Sequence, residues 1–141
     1  MRPGSFGALM ALYEANFIKL SALIPDVTHL SGPHLSDSTE DCDLFFGITG
    51  RTRYTCEFEL SYLFPEADGT VVADPGLHAK AYFDARMIEV LHWSPDHRHD
   101  ALVSISRIAS AALEQRWALN IMFSKWLDYL LDQGHSFSAQ S

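Results

Sequence analysis

An α+β fold is expected from a change of hydrophobic rhythm along the 141 residues. Apolar side chains recur at helical steps in residues 5–24, alternate at every second position between 43 and 93, and return to helical steps from about 107 to 133. Two amphipathic rods at the ends of an alternating region shield one side of a pleated layer. The architecture expected is therefore an antiparallel β-sheet of three to five strands packed against an N-terminal helix and a long C-terminal helix, a two-layer sandwich.

The first helix carries Phe6, Leu9, Met10, Tyr13, Phe17, Leu20 and Ile24 on one face, with Glu14 and Lys19 off it. Ser5 is a capping residue at its start, and Pro25 with Asp26 stops it. The following "DVTHLSGPHLSDSTEDC" is rich in turn formers and reads as loop, apart from a short edge strand expected at Val27–Leu30. The period then becomes two. Leu44, Phe46 and Ile48 share one face, and in "RYTCEFELSYL" Tyr54, Cys56, Phe58, Leu60 and Tyr62 oppose Thr55, Glu57, Glu59 and Ser61. Residues 50–52 form the hairpin connection, and "PEADG" (65–69) the next turn. Leu77, Ala79, Ala81 and Phe83 alternate with His78, Lys80 and Tyr82, and Asp84-Ala85 leads into a further strand at 86–93. The final helix places Ile108, Ala112, Leu119, Met122, Phe123, Trp126, Leu130 and Leu131 on a broad stripe, and Gly134 stands where a left-handed cap residue belongs. Residues 1–134 are thus one α+β domain, and 135–141 ("HSFSAQS") are expected to be a flexible C-terminal tail.

The composition removes several function classes. A net charge of −8, with ten scattered Lys and Arg, disfavours a nucleic acid or an anionic membrane as partner. No apolar run approaches the roughly 20 residues of a membrane span, and the first residues make a poor signal peptide. Cys42 and Cys56 read as reduced thiols, so the expected compartment is the cytoplasm.

The segment "LHWSPDHRHD" raises the question of a metal. His92, His97 and His99 with Asp96 and Asp100 match no established ligand spacing, and Ser94-Pro95-Asp96 is a turn signal, so a solvated loop is expected and no metal is assigned. Nucleophile elbows and phosphate-cradling glycine loops are absent from the sequence, and Cys56 lies on an apolar strand face. Arg51, Arg53 and Arg86, with Tyr54, Asp84 and Glu89, are the candidate ligand-binding residues, an anion pocket at one rim of the sheet. The competing reading of the same residues is an ion pair of Arg53 with Asp84 or Glu89. Glu57 and Glu59 read as a solvated face, Asn16 and Asn120 as amides serving backbone groups, and Trp117 and Trp126 as core or interface anchors.

Several motifs carry a resemblance. "YEANFIKLSALIP", "TRYT", "YFDARMIEV" and "LNIMFSKWLDYLLDQG" stand in the order and spacing of the YqiB-like family, small bacterial proteins classed as a domain of unknown function, which this chain resembles nearly end to end. Arg116 and Ala118 depart from the family's usual lysine and glutamine. The resemblance implies a cytosolic protein and supplies no reaction; it points to Glu14, Asn16, Arg53, Tyr54, Asp84, Glu89, Asn120 and Trp126. The first expectation is a non-catalytic binding or adaptor module for a protein partner or small anionic ligand, without a cofactor, and with the final helix or an edge strand available for a homodimer. The alternative is a small hydrolase or nucleotide-handling enzyme using Asp84 and Glu89 with Arg53 as phosphate clamp.

Overall fold

The computed structural model describes residues 6–38, 41–94 and 115–137. Helix α1 (Phe6–Leu23) precedes strands β1 (Pro33–Ser38), β2 (Asp41–Arg51), β3 (Thr55–Pro65), β4 (Val71–Tyr82) and β5 (Met87–Ser94), and helix α2 (Gln115–Asp132) follows. The strands form one antiparallel meander in the order β1-β2-β3-β4-β5. This is the expected α+β arrangement. Ile108 and Ala112, assigned to the last helix, lie outside the described residues, as do His97, His99, Asp96 and Asp100.

Period-two alternation builds the core row by row. Phe46, Leu60, Leu77 and Trp93 oppose one another across four strands, and so do Ile48, Phe58, Ala79 and Val90 in the next row. Against this face α1 brings Phe17, Leu20 and Leu23, and α2 brings Met122, Phe123, Trp126, Leu127 and Leu130. Trp126 is fully buried and meets Tyr62 and Trp93 edge to face at 5.4 and 5.5 Å between ring centres.

A pair of amides joins the helices to the sheet. Asn120 Oδ1 accepts the N–H of Val90 at 3.0 Å, its Nδ2 donates to Arg116 C=O at 2.9 Å, and Asn16 Nδ2 donates to Asn120 C=O at 3.1 Å. Both asparagines are fully buried. The register of β4 with β5 shifts between His78 and Ala79, so that Leu91 is the extra residue of a bulge beside Val90. Asn120 therefore satisfies a strand N–H just where the ladder is irregular.

The end of α2 follows its sequence signal. Gly134 has φ 84°, and the bonds Gly134 N–H to Leu131 C=O (3.2 Å) and His135 N–H to Leu130 C=O (3.1 Å) close a Schellman motif. Beyond it the expected free tail is instead docked at His135–Phe137. His135 and Phe137 are buried, Phe137 N–H donates to Leu23 C=O at 2.9 Å, and its ring lies 5.8 Å from that of Phe46. The reversal after Gly134 turns the chain back onto the sheet, where Phe137 finds the apolar contact that the linear sequence hides.

Other details differ from expectation. Val27–Leu30 is a turn, held by Leu30 N–H to Asp26 C=O at 3.0 Å, and the edge strand is β1, within the stretch read as loop. The inward residue of β1 is a serine, Ser36, so no apolar alternation marks it. The first hairpin turns at 52–54 rather than 50–52, because Thr52 N–H bonds Thr55 C=O at 2.9 Å. That places Tyr54 in the turn and exposes it, and Phe6 is exposed at the first residue of α1.

Replacing Asn120 by alanine leaves the Val90 N–H unsatisfied and is expected to destabilise the protein by about 1–3 kcal/mol. Asn16→Ala also removes a buried carbonyl oxygen that has no partner among the described residues, so its cost is expected to be smaller. Urea denaturation of both variants measures the difference.

Candidate functional site

The rim residues gather at one end of the sheet, where each arginine makes its own contacts. The β2–β3 and β4–β5 turns touch, with Phe83 N–H donating to Tyr54 C=O at 2.9 Å. Arg51 donates to the carbonyls of Val27, Thr28 and Leu30 and so closes the turn after α1. Arg53 lies over the Tyr54 ring (5.2 Å to its centre), and Arg86, at φ 55°, lies over Phe17 (5.7 Å). Asp84 is exposed in the turn, whereas Glu89 accepts the Tyr82 hydroxyl at 2.7 Å. Burial and that carboxylate push the Tyr82 phenol up to about 12. Among the described residues no ion pair joins Arg53 to Asp84 or Glu89. The guanidinium groups thus serve separate local contacts. Of the remaining candidates, Glu14 is exposed on α1, while Asn16, Asn120 and Trp126 are interior.

A different concavity lies on the outer face of the sheet, which neither helix covers. There Glu59, His78 and His92 oppose one another across β3, β4 and β5, and the adjacent row is Glu57, Lys80 and Glu89. Two irregularities flank His78: the β3–β4 register shifts between Leu60 and Tyr62, and the β4–β5 register shifts at Leu91. Bulges break the pleat and re-aim neighbouring side chains. Between them opens a hollow of about 350 Å³ lined by Glu59, Ser61, Ala73, Gly76, His78 and His92. His78 Nε2 lies 3.4 Å from both Glu57 Oε1 and Thr49 Oγ1. Among the described residues no three His, Cys, Asp or Glu side chains are grouped to hold a metal ion.

The same outer face also explains a glycine. A Cβ on Gly47 would lie 2.8 Å from Cζ of Phe45, whose ring crosses it, so only glycine lets that ring lie flat on the sheet.

A third cluster is buried. Asp41 Oδ2 accepts the Tyr62 hydroxyl at 2.7 Å and His135 Nε2–H at 3.1 Å. A carboxylate only accepts, so His135 Nε2 bears the proton of that bond, and its Nδ1 lies 3.0 Å from Ser36 Oγ, within hydrogen-bond distance. Burial, and then the Asp41 carboxylate, raise the Tyr62 phenol far above its ordinary value. The Ser–His–Asp order is that of a nucleophilic triad. Here, however, Ser36 Oγ also accepts Ser136 N–H at 3.1 Å, and the His135 and Asp41 side chains are 0% and 1% exposed. Ser36 itself is buried, and its hydroxyl is engaged on both sides. The cluster locks the C-terminal strap to β1, β2 and β3.

The thiols offer no nucleophile either. Both cysteines are free, and burial raises each thiol above its ordinary value; Asp41 and Asp43 add to this at Cys42.

Sequence reasoning missed the outer hollow and the buried cluster. Bulges leave no mark in a pattern of alternation, so Glu59, His78 and His92 read as separate surface groups. For His135 a signal exists: an apolar residue soon after a C-cap glycine, here Phe137 after Gly134, marks a chain that folds back.

His135→Ala is expected to cost about 2–4 kcal/mol, because it leaves buried partners in Asp41 and Ser36 unsatisfied. His29→Ala, at an exposed turn position, is expected to stay within about 0.5 kcal/mol of the parent protein. Chemical denaturation of the pair gives both values.

A family model described as a protein of unknown function (DUF1249) matches residues 19–136. No curated protein and no solved structure matches the chain.

Proposed function

The chain belongs to this family of unknown function (DUF1249), and since membership assigns no activity, we propose from the geometry that it is a non-catalytic binding module for a protein partner. The observation that carries the reading is the outer face, which among the described residues nothing covers, with its hollow between two bulges and its row of Glu59, His78 and His92. Bulges are concentrated beside functional sites because they re-aim side chains. A small anionic ligand is less well served, since Arg51 already holds three carbonyls and Arg53 and Arg86 lie over separate rings. The hydrolase alternative suffers likewise: Asp84, Glu89 and Arg53 make no common contact among the described residues.

We further read the protein as YqiB-like, on the order and spacing of its motifs, and as cytoplasmic, which the two free thiols support. Among the described residues no helix is long and apolar enough to cross a membrane.

The test is comparative affinity capture from an extract of the native cell, followed by binding measurements with the isolated partner. Wild type and Arg53→Ala are expected to retain the same partner, and Glu59→Arg to lose it while its melting temperature stays unchanged. Loss with Arg53→Ala and retention with Glu59→Arg would move the binding surface to the rim.

A further inference from the structure

We infer that the partner presents a basic segment and that one of its arginine or lysine side chains sits in the outer hollow against Glu59. The inference rests on the reading of the open face as a docking surface and adds the chemistry of what docks. The charge of the face supplies the argument. Its two central rows carry the carboxylates of Glu57, Glu59 and Glu89 and a single ammonium, that of Lys80. Lys80 Nζ lies 5.3 Å from the centre of the Tyr82 ring, in the row beside the hollow rather than in it. Among the described residues no lysine or arginine lines the hollow itself. Among the described lining residues an anionic group would meet the Glu59 carboxylate and no lysine or arginine, whereas a guanidinium would meet acceptors.

The groups in the hollow suit such a cation. A carboxylate accepts two parallel N–H bonds from a guanidinium, and a neutral imidazole offers a ring nitrogen as a further acceptor. Glu59 and His92 are exposed, and His78 is half-buried between them. The exposed Ala73 lines the wall of the hollow, so the aliphatic stem of an arginine or lysine has an apolar side chain to lie on. The chain's net charge of −8 would draw a basic segment from a distance and speed the encounter. Much of the attraction is screened by salt, so the interaction weakens as ionic strength rises.

The experiment titrates the full-length, nitrogen-15-labelled protein with short peptides of alternating Arg and Ser, alternating Glu and Ser, and alternating Leu and Ser. The Arg peptide is expected to move the amide signals of Glu57, Glu59, His78, Glu89 and His92. Glu59→Lys is expected to weaken this binding by about tenfold or more, through loss of a charge-assisted contact. The spectrum of that variant checks that the sheet is intact. Movement of the same signals by the Leu peptide but not by the Arg peptide would overturn the cation while leaving a docking face. Arg-peptide shifts spread evenly over the acidic groups of both helices, with no peptide moving the outer face, would overturn both readings. Shifts at His78 and His92 produced by zinc ion alone, blocking the Arg peptide, would overturn the inference in favour of a metal.

Discussion

One side-chain amide ties the layers together. Asn120 reaches from α2 to a backbone N–H of β5 beside a bulge, while its own carbonyl receives the amide of Asn16 from α1. A buried polar group without a partner is costly, so each of these bonds is conditional on the helices lying where they do. Apolar packing of Trp126, Phe58 and Phe123 supplies attraction, which is largely non-directional. The amides add register: they fix which turn of α2 faces which residue of β5. Both helices are thereby held on one side of the sheet, and on the other the central strands carry polar and charged residues, with the Phe45 ring beside them.

That asymmetry gives the two faces different chemistry from the same alternation. Moving one residue along β3 or β4 exchanges Phe58 for Glu59 and Leu77 for His78. Inside, the rows are apolar and continuous; outside, they combine carboxylates, imidazoles and one ammonium around a hollow opened by bulges. The buried Ser36–His135–Asp41–Tyr62 cluster belongs to the inner side despite its catalytic order of groups. Its hydroxyl, imidazole and carboxylate bond in a chain, which fastens the segment that places Phe137 against Phe46. Similar side chains thus serve stability on one side of the sheet and lie at or near the surface on the other.

The fold was largely legible in the sequence because it rests on periodicity. Phe58, Leu60 and Tyr62, Leu77, Ala79 and Ala81, and Met122, Phe123 and Trp126 all face the core as their spacing indicates. Three features escaped for physical reasons. Strand β1 turns a serine inward and is satisfied by a histidine ninety-nine residues away, a contact local pattern does not encode. The separate contacts of the arginines near the turns escaped because sequence gives proximity without direction: carbonyls hold Arg51, and aromatic rings lie beside Arg53 and Arg86. The hollow around His78 exists only through cross-strand register, which two bulges set.

The account stands on the claim that one sheet face is open and the other sealed, and chemical modification of the histidines tests it most directly. Native full-length protein treated with diethyl pyrocarbonate and mapped by mass spectrometry is predicted to be modified at His78 and His92 and protected at His135. Protection of His78 and His92, or modification of His135 at the same rate as theirs, would contradict it.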